Sequence, residues 1–397
     1  MRKKLLFVMP SLSAGGGERS LINLLSQIDY GQFEVDLFLL SHEGLFMSMV
    51  PDAVRILPLP ESYTRFSQPI WDAVPRLLLR GKPTLAYGRI MYSVVNRTES
   101  NVGTREQGSW KYMARAMNRI EKRYDAAIGF LEKTSIYFCV EKVSAAKKIG
   151  WVHNDYDKLG MDPDFDVHYF KQLDHIVTVS DECASVLKKR FPNQNDKVNV
   201  IHNIVSPSVI RRLAEKEAKD LYDRQGDELI ILSIGRLHPQ KGFDLAVKTC
   251  KRLVERGYNV QWNIIGEGEE REKLAGLIRK EGLADRFKLL GLRTNPYPYL
   301  KQADIYAQTS RFEGKAIAVD EAKILNKPIV VTNFSTAKDQ IEDGIDGLIV
   351  EMNADSVAAG IGRLIQDREA RKRMTDHLSR LQLGTEGEIE KLYKLLG

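Results

Sequence analysis

The sequence predicts an α/β protein of two doubly wound, Rossmann-like halves, and three observations carry that prediction. Short continuous apolar runs, of the kind buried in parallel sheets, alternate with segments of helix length. The alternation occurs twice, on either side of a charged stretch predicted as a helix from Arg211 to Arg224. Several of the runs end in glycine turns that open into helices, the usual geometry at the ligand edge of a parallel sheet. A length of 397 residues also exceeds one ordinary core and suits two domains.

In chain order, Lys4 to Pro10 reads as a first strand, Ser11 to Gly17 as a glycine-rich loop and Glu18 to Leu25 as a helix. This unit is compatible with phosphate but is not GxGxxG, and no acidic residue ends a second strand, so a dinucleotide fold is rejected. On its own, Gly15 to Gly17 also reads as a plain tight turn. Further strands are expected at 34–40, 54–59, 126–131, 149–153, 175–180 and 198–203. The second series is expected at 229–235, 260–266, 287–291, 305–309, 328–332 and 348–350. Trp151-Val-His153-Asn ends a strand, the edge where an open α/β sheet binds ligands, although a lone histidine is also an ordinary hydrogen-bonding core residue. Asp162-Pro-Asp-Phe-Asp166 imitates a metal motif but lacks the glycine and later glutamate of a calcium loop, so it reads as an acidic loop.

The chain is organised around Ser310-Arg-Phe-Glu313-Gly314-Lys315-Ala316-Ile317, a turn leading into a helix predicted from Lys315 to Leu325 and stopped by Asn326-Lys-Pro328. At about 100° per residue, Ile317, Ala318, Ile324 and Leu325 form an apolar stripe with Glu321 in its middle. A carboxylate there needs donors, either from a bound molecule or from a buried Arg or Lys elsewhere. Glu313 precedes the helix, roughly 12 Å along the axis from Glu321. Between the two, the first helical N–H groups and the positive end of the dipole suit phosphate. A nucleoside diphosphate sugar, with phosphate between two hydroxyl-bearing rings, fits this pattern. Arg236 and Lys241, in Ile234-Gly-Arg-Leu-His-Pro-Gln-Lys-Gly242, lie at the first strand-to-helix turn of the second half and together suit a diphosphate.

Glu313, seven residues, then Glu321, in the setting Ser-Arg-Phe-Glu-Gly…Glu-Ala and followed by Pro328-Ile-Val-Val-Thr332, resembles the signature of the retaining glycosyltransferases of family 4, the "group 1" enzymes with the GT-B fold. Lys315 departs from the pattern, which often has an aromatic residue there and thereby leaves the donor sugar open. The resemblance implies an acceptor-binding domain over 1–205, a nucleotide-sugar domain over 206–375, and a C-terminal helix over 376–397 crossing back to the first. It implies a cleft between the domains, with the glycine loop at Gly16 and Gly17 facing the donor diphosphate and the acceptor, and His153 facing the donor sugar. It implies that Gly266 and Gly291 border the nucleoside and that Gly314, Lys315, Ala316 and Ile317 line the donor. Arg236, Lys241, Glu313 and His153 would act in sugar transfer with retention, Glu313 holding sugar hydroxyls and Glu321 the ribose. The expected donor is a UDP-sugar and the acceptor a glycan or lipid-linked glycan of a bacterial surface polysaccharide, with no metal and no other cofactor. A nucleotide-sugar epimerase or hydrolase of the same fold, or a non-catalytic partner subunit, is the rival reading.

Composition limits the alternatives. Hydrophobic residues make up 43% and charged residues 28%, as in folded soluble proteins. Cys139, Cys183 and Cys250 have no metal or disulfide spacing, which suits a reducing, cytoplasmic setting. The run Leu5 to Met9 is too short for a signal sequence, and no stretch approaches the roughly 20 apolar residues of a membrane span. A net charge of +6 is too modest to point to nucleic acid. Its distribution is uneven: from Ile70 to Asp125 eleven Lys/Arg stand against five Asp/Glu, among Trp71, Tyr87, Tyr92, Trp110 and Tyr112. Arg76-Leu-Leu-Leu-Arg80 beside Trp71 suits an interfacial helix, and Lys111, Arg115, Arg119, Lys122 and Arg123 are spaced as a basic helix face, so peripheral contact with the inner face of the membrane is expected. Ordinary packing of the leucines and solvation of the cations is the competing account.

Overall fold

A computed structural model describes residues 2–13, 15–218, 221, 222, 224 and 226–397. The first half forms an all-parallel sheet of β1 (Lys3–Met9), β2 (Phe33–Leu39), β3 (Val54–Ile56), β4 (Ile120–Gly129), β5 (Val143–Val152), β6 (His175–Thr178) and β7 (Val198–Val200). Its order is β3-β2-β1-β4-β5-β6-β7. The second half forms a parallel sheet of β8 (Leu229–Ile234), β9 (Val260–Ile265), β10 (Phe287–Gly291), β11 (Ile305–Gln308), β12 (Ile329–Thr332) and β13 (Leu348–Val350), in the order β10-β9-β8-β11-β12-β13. Each sheet reverses its winding once, between β1 and β4 and between β8 and β11, and those switch points are where such sheets bind ligands.

The continuous apolar runs are explained by burial on both faces. In the second sheet Ile231, Ile305, Ala307 and Val330 enter one core cluster. Their alternates Ile230, Leu232, Tyr306, Ile329 and Val331 enter the other, as the two-residue period of a strand requires. Each fully buried aliphatic side chain of this kind contributes about 1.5–3 kcal/mol.

Contacts group the chain into two compact units, Met1–Ser13, Leu24–Ile201 and Ile389–Gly397 in one, Ala14–Asn23 and His202–Glu388 in the other. The last element is the helix Ile389–Leu396, after a short turn at Glu386–Glu388, while residues 376–380 finish the preceding helix Arg368–Arg380. Within the first unit the Tyr393 ring stacks on Phe33 at 4.9 Å and its hydroxyl accepts the Asp29 N–H at 2.8 Å. Lys147 Nζ donates to the Leu395 carbonyl at 2.8 Å, a cation on the exposed carbonyls of a helix end.

Four local expectations change. The helix expected over 211–224 is Pro207–Ala214 among the described residues, opened by a proline in its first turn; positions 219, 220 and 223 of the expected span lie outside those residues. Asp162 caps the helix Pro163–Phe170 by accepting the Asp164 N–H, and Asp166 is buried with the hydroxyls of Tyr137 and Tyr156 donating to it, so the acidic loop is a helix start. The basic face over 111–123 does not exist as one face. The helix Val102–Met113 stops before Arg115, and Lys122 lies in β4, donating to Glu34 at 2.6 Å and to the buried Asp36 at 2.9 Å. Trp110 is buried, its indole N–H on Glu141. The interfacial helix is Ile70–Leu79, longer than expected, with Pro75 inside it and Leu77 buried.

Candidate functional site

The second switch point gathers the charged candidates. After β8 the chain runs through Gly235 and Arg236 to a short 3-10 turn, Pro239–Lys241, and enters the helix Phe243–Glu255 at Gly242. Gly242 has φ 61°, and a Cβ there would sit 2.2 Å from the Thr309 carbonyl oxygen, so the loop after β8 packs directly on the loop after β11. That packing carries Lys241 to Glu313: Nζ lies 2.5 Å from Oε1. Glu313, 5% exposed, also accepts from Gln308 Nε2 at 3.0 Å and Ser310 Oγ at 2.5 Å. Arg236 lies on the same loop and pairs with Glu18 at 3.1 Å, where the start of the helix Gly16–Leu25 groups with this unit. Gly16 and Gly17 form the first turn of that helix rather than a free loop.

The helix after Glu313 is Ile317–Ile324, with Ala316 as its N-cap. Gln340 brackets that cap, accepting the Ala316 N–H at 2.8 Å and donating to its carbonyl at 3.1 Å. Of the amides at this helix start, Ala316 thus donates within the protein. Lys315 is half-buried, and its carbonyl accepts from Asn203 Nδ2.

Glu321 lies 3% exposed on the apolar stripe. The donor it meets is the hydroxyl of Tyr297, 2.7 Å from Oε1. Arg19 sits over the Tyr297 ring at 5.5 Å. Burial raises the Glu321 carboxyl above the usual carboxylate range, against the pull of the Arg19 charge and the Tyr297 hydroxyl. Neither Tyr297 nor Arg19 stood out in the sequence, because nothing within a few residues of either refers to Glu321.

The glycine ends of β8, β9 and β10 lie against one another. Gly266 N–H donates to the Gly291 carbonyl at 3.0 Å, and a Cβ on Gly266 would fall 1.9 Å from the Gly235 carbonyl oxygen. With φ 157° and backbone on that side, alanine has no room. Gly266→Ala is expected to lower the thermal midpoint by several degrees, since backbone must shift by more than an ångström; a differential scan of the variant checks it.

His153 belongs to the first unit, directly after β5. It is buried, with its ring centroid 4.9 Å from Phe130, and desolvation lowers its pKa to about 4, so the ring is neutral at physiological pH. Among the described residues its Nε2 has no hydrogen-bond partner. The buried Glu132, unnoticed in the sequence, fixes this strand end by accepting the His153 N–H at 3.0 Å and the Asn154 amide at 3.1 Å. Lys133 beside it has φ 68°, rare for a residue with a side chain. His153 lies in a different unit from Arg236, Lys241, Glu313 and Glu321, which all lie in the second.

Among the described residues no cluster of three or more His, Cys, Asp or Glu is placed to hold a metal ion, and the three cysteines are free and buried.

An uncharacterized glycosyltransferase of Methanocaldococcus jannaschii is 29% identical over 178 residues, 44% of this chain and 43% of that protein. The amylovoran biosynthesis glycosyltransferase AmsK of Erwinia amylovora is 31% identical over 180 residues, 43% of this chain and 42% of that one. The matched stretch thus spans less than half the length of these relatives. Among solved structures, HepE of Anabaena, in complex with UDP and glucose, superposes with a TM-score of 0.68 at 15% identity, covering 100% of this chain and 99% of that one. The fold is GT-B, two parallel-sheet Rossmann-like domains. Over residues 215–378, a stretch that contains β8 to β13, the sequence matches the model of the family described as Glycosyl transferases group 1.

Proposed function

We propose that the chain is a glycosyltransferase that moves a sugar from a UDP-sugar to an acceptor hydroxyl with retention of anomeric configuration, in assembly of a cell-surface polysaccharide. The observation that carries the reading is the Lys241–Glu313 pair at a switch point, with Arg236 on the same loop and the buried Glu321 one helix away. Arg236 and Lys241 neutralise the diphosphate and stabilise the charge that grows on it as the glycosidic bond breaks. Glu313, already oriented by Gln308 and Ser310, accepts hydrogen bonds from the sugar hydroxyls. Glu321 accepts them from the ribose. Two protein cations supply the charge that a metal ion would otherwise provide. No enzyme nucleophile is invoked, and the departing phosphate oxygen takes the acceptor proton. The UDP in the Anabaena structure supports the choice of base, and the name of the Erwinia relative supports the class of product.

The test is incubation with a panel of radiolabelled UDP-sugars, with and without extracted cell-envelope glycan, followed by chromatography. Label passing to the glycan is expected. Donor consumed equally without acceptor would make the protein a hydrolase or epimerase, and binding without consumption would make it a non-catalytic partner.

A further inference from the structure

Seven of the eleven exposed large apolar side chains among the described residues lie between Trp71 and Val102, in the first unit. They sit mainly on two helices, Ile70–Leu79 and Pro83–Thr98, joined by Arg80-Gly-Lys82. On the first, Ala73 and Leu77 form the buried face, one turn apart. Trp71, Leu78 and Leu79 project from the other side, with Trp71 86% and Leu79 87% exposed. A helix apolar on both sides is normally covered on both. On the second helix Tyr87, Ile90 and Val94 repeat at helical spacing and are exposed as well. A patch of this kind marks an interaction surface.

Charge selects the partner. From Ile70 to Thr98 the cations are Arg76, Arg80, Lys82, Arg89 and Arg97, against the single carboxylate Asp72. A second copy seated on this face about a two-fold axis would bring cations against cations. An acidic, apolar surface satisfies both features. We propose that this helical hairpin docks on an anionic lipid surface, with Trp71, Leu78 and Leu79 entering the acyl boundary and the exposed Arg76, Lys82 and Arg97 reaching the headgroups, while Arg89 donates to the Gln68 carbonyl at 3.0 Å and Arg80 lies 3.7 Å from Glu61. Membrane contact thus uses this hairpin and not the segment Lys111–Arg123, whose Lys122 is held by Glu34 and Asp36. Among the described residues no helix is long and apolar enough to cross a membrane.

The fluorescence of the protein tests this directly, because Trp71 is exposed whereas Trp110, Trp151 and Trp262 are buried. Phosphatidylcholine vesicles with and without phosphatidylglycerol are added at low and high salt, some carrying brominated acyl chains. Expected are a shift of emission to shorter wavelength and quenching by bromolipid on the anionic vesicles at low salt, both reversed by salt. Trp71→Phe should lose the optical signal yet still co-sediment, and Leu78→Ser/Leu79→Ser should lose both. Lys82→Ala should lower partitioning about fivefold, as one headgroup-facing cation does. No co-sedimentation at low salt, or equal binding to neutral and anionic vesicles, overturns the proposal. So does a lipid-independent dimer in sedimentation velocity that Leu78→Ser/Leu79→Ser dissociates. None of these readouts involves a sugar donor, so failure here leaves the proposed transferase activity standing.

Discussion

Lys241→Met is expected to lower kcat at saturating donor by about 10²–10³, the usual loss when one preorganised charge-stabilising donor is removed. Charge on the diphosphate grows toward the transition state, so turnover should fall more than affinity. The same change leaves Glu313, 5% exposed, without its cation. Breaking a buried pair from one side costs about 3–5 kcal/mol where nothing else satisfies the survivor. Here Gln308 and Ser310 still donate to it, so the loss of stability should be smaller. Adding Glu313→Gln should restore the thermal midpoint and leave turnover low. Steady-state kinetics with the matching donor and a thermal melt of both variants separate these effects. Wild-type kcat in Lys241→Met would reduce the lysine to a structural partner of Glu313.

Glu321→Gln should make the protein more stable and a poorer binder. Burial raises the Glu321 carboxyl, and such a group contributes its stability below the unfolded pKa and loses it as pH rises through the folded one. Glutamine keeps the shape and an acceptor for the Tyr297 hydroxyl but has no charge to desolvate. The variant should therefore match wild type in acid and gain on it as pH rises to neutral. Affinity for UDP should weaken by about 1.5–3 kcal/mol, the worth of hydrogen bonds to a charged acceptor, or roughly ten- to a hundredfold in Kd. Thermal melts across pH, with calorimetric titration of UDP at neutral pH, measure both halves. Unchanged UDP affinity would remove Glu321 from the ribose site.

The residues that could be read from the sequence are those whose neighbours along the chain determine their setting. The strands of both sheets stood out because burial on both faces leaves uninterrupted runs such as Ile329–Thr332. The oddness of Glu321 was visible because helical periodicity places Ile317 and Ile324 around it. Its donor was not, since Tyr297 lies 24 positions away on another helix. The segment 111–123 failed for a related reason. Five cations at helical spacing look like one face, but Ile120, Lys122, Tyr124 and Ala126 also keep a two-residue period, and the carboxylates that fix Lys122, Glu34 and Asp36, lie on β2. Asp36 accepts from Arg55, Lys122 and Tyr124, and no local pattern announces a network around a buried carboxylate whose members come from three strands. The exposed face of Ile70–Leu79 is the opposite case. Its apolar residues were plain in the sequence, and only the fold distinguishes Leu77, which is core, from Leu78 and Leu79, which are not.

The helix Ile389–Leu396 has a consequence for synthesis. It supplies Tyr393 to Phe33 and Asp29, so the first unit is completed by residues that leave the ribosome after all of the second. Native closure therefore runs against the order of translation, because His202–Glu388 emerges as one uninterrupted block while the earlier unit still waits for its last element. A nascent chain stalled before residue 389 would carry Phe33 without its stacking partner and Asp29 without the hydroxyl that accepts its N–H.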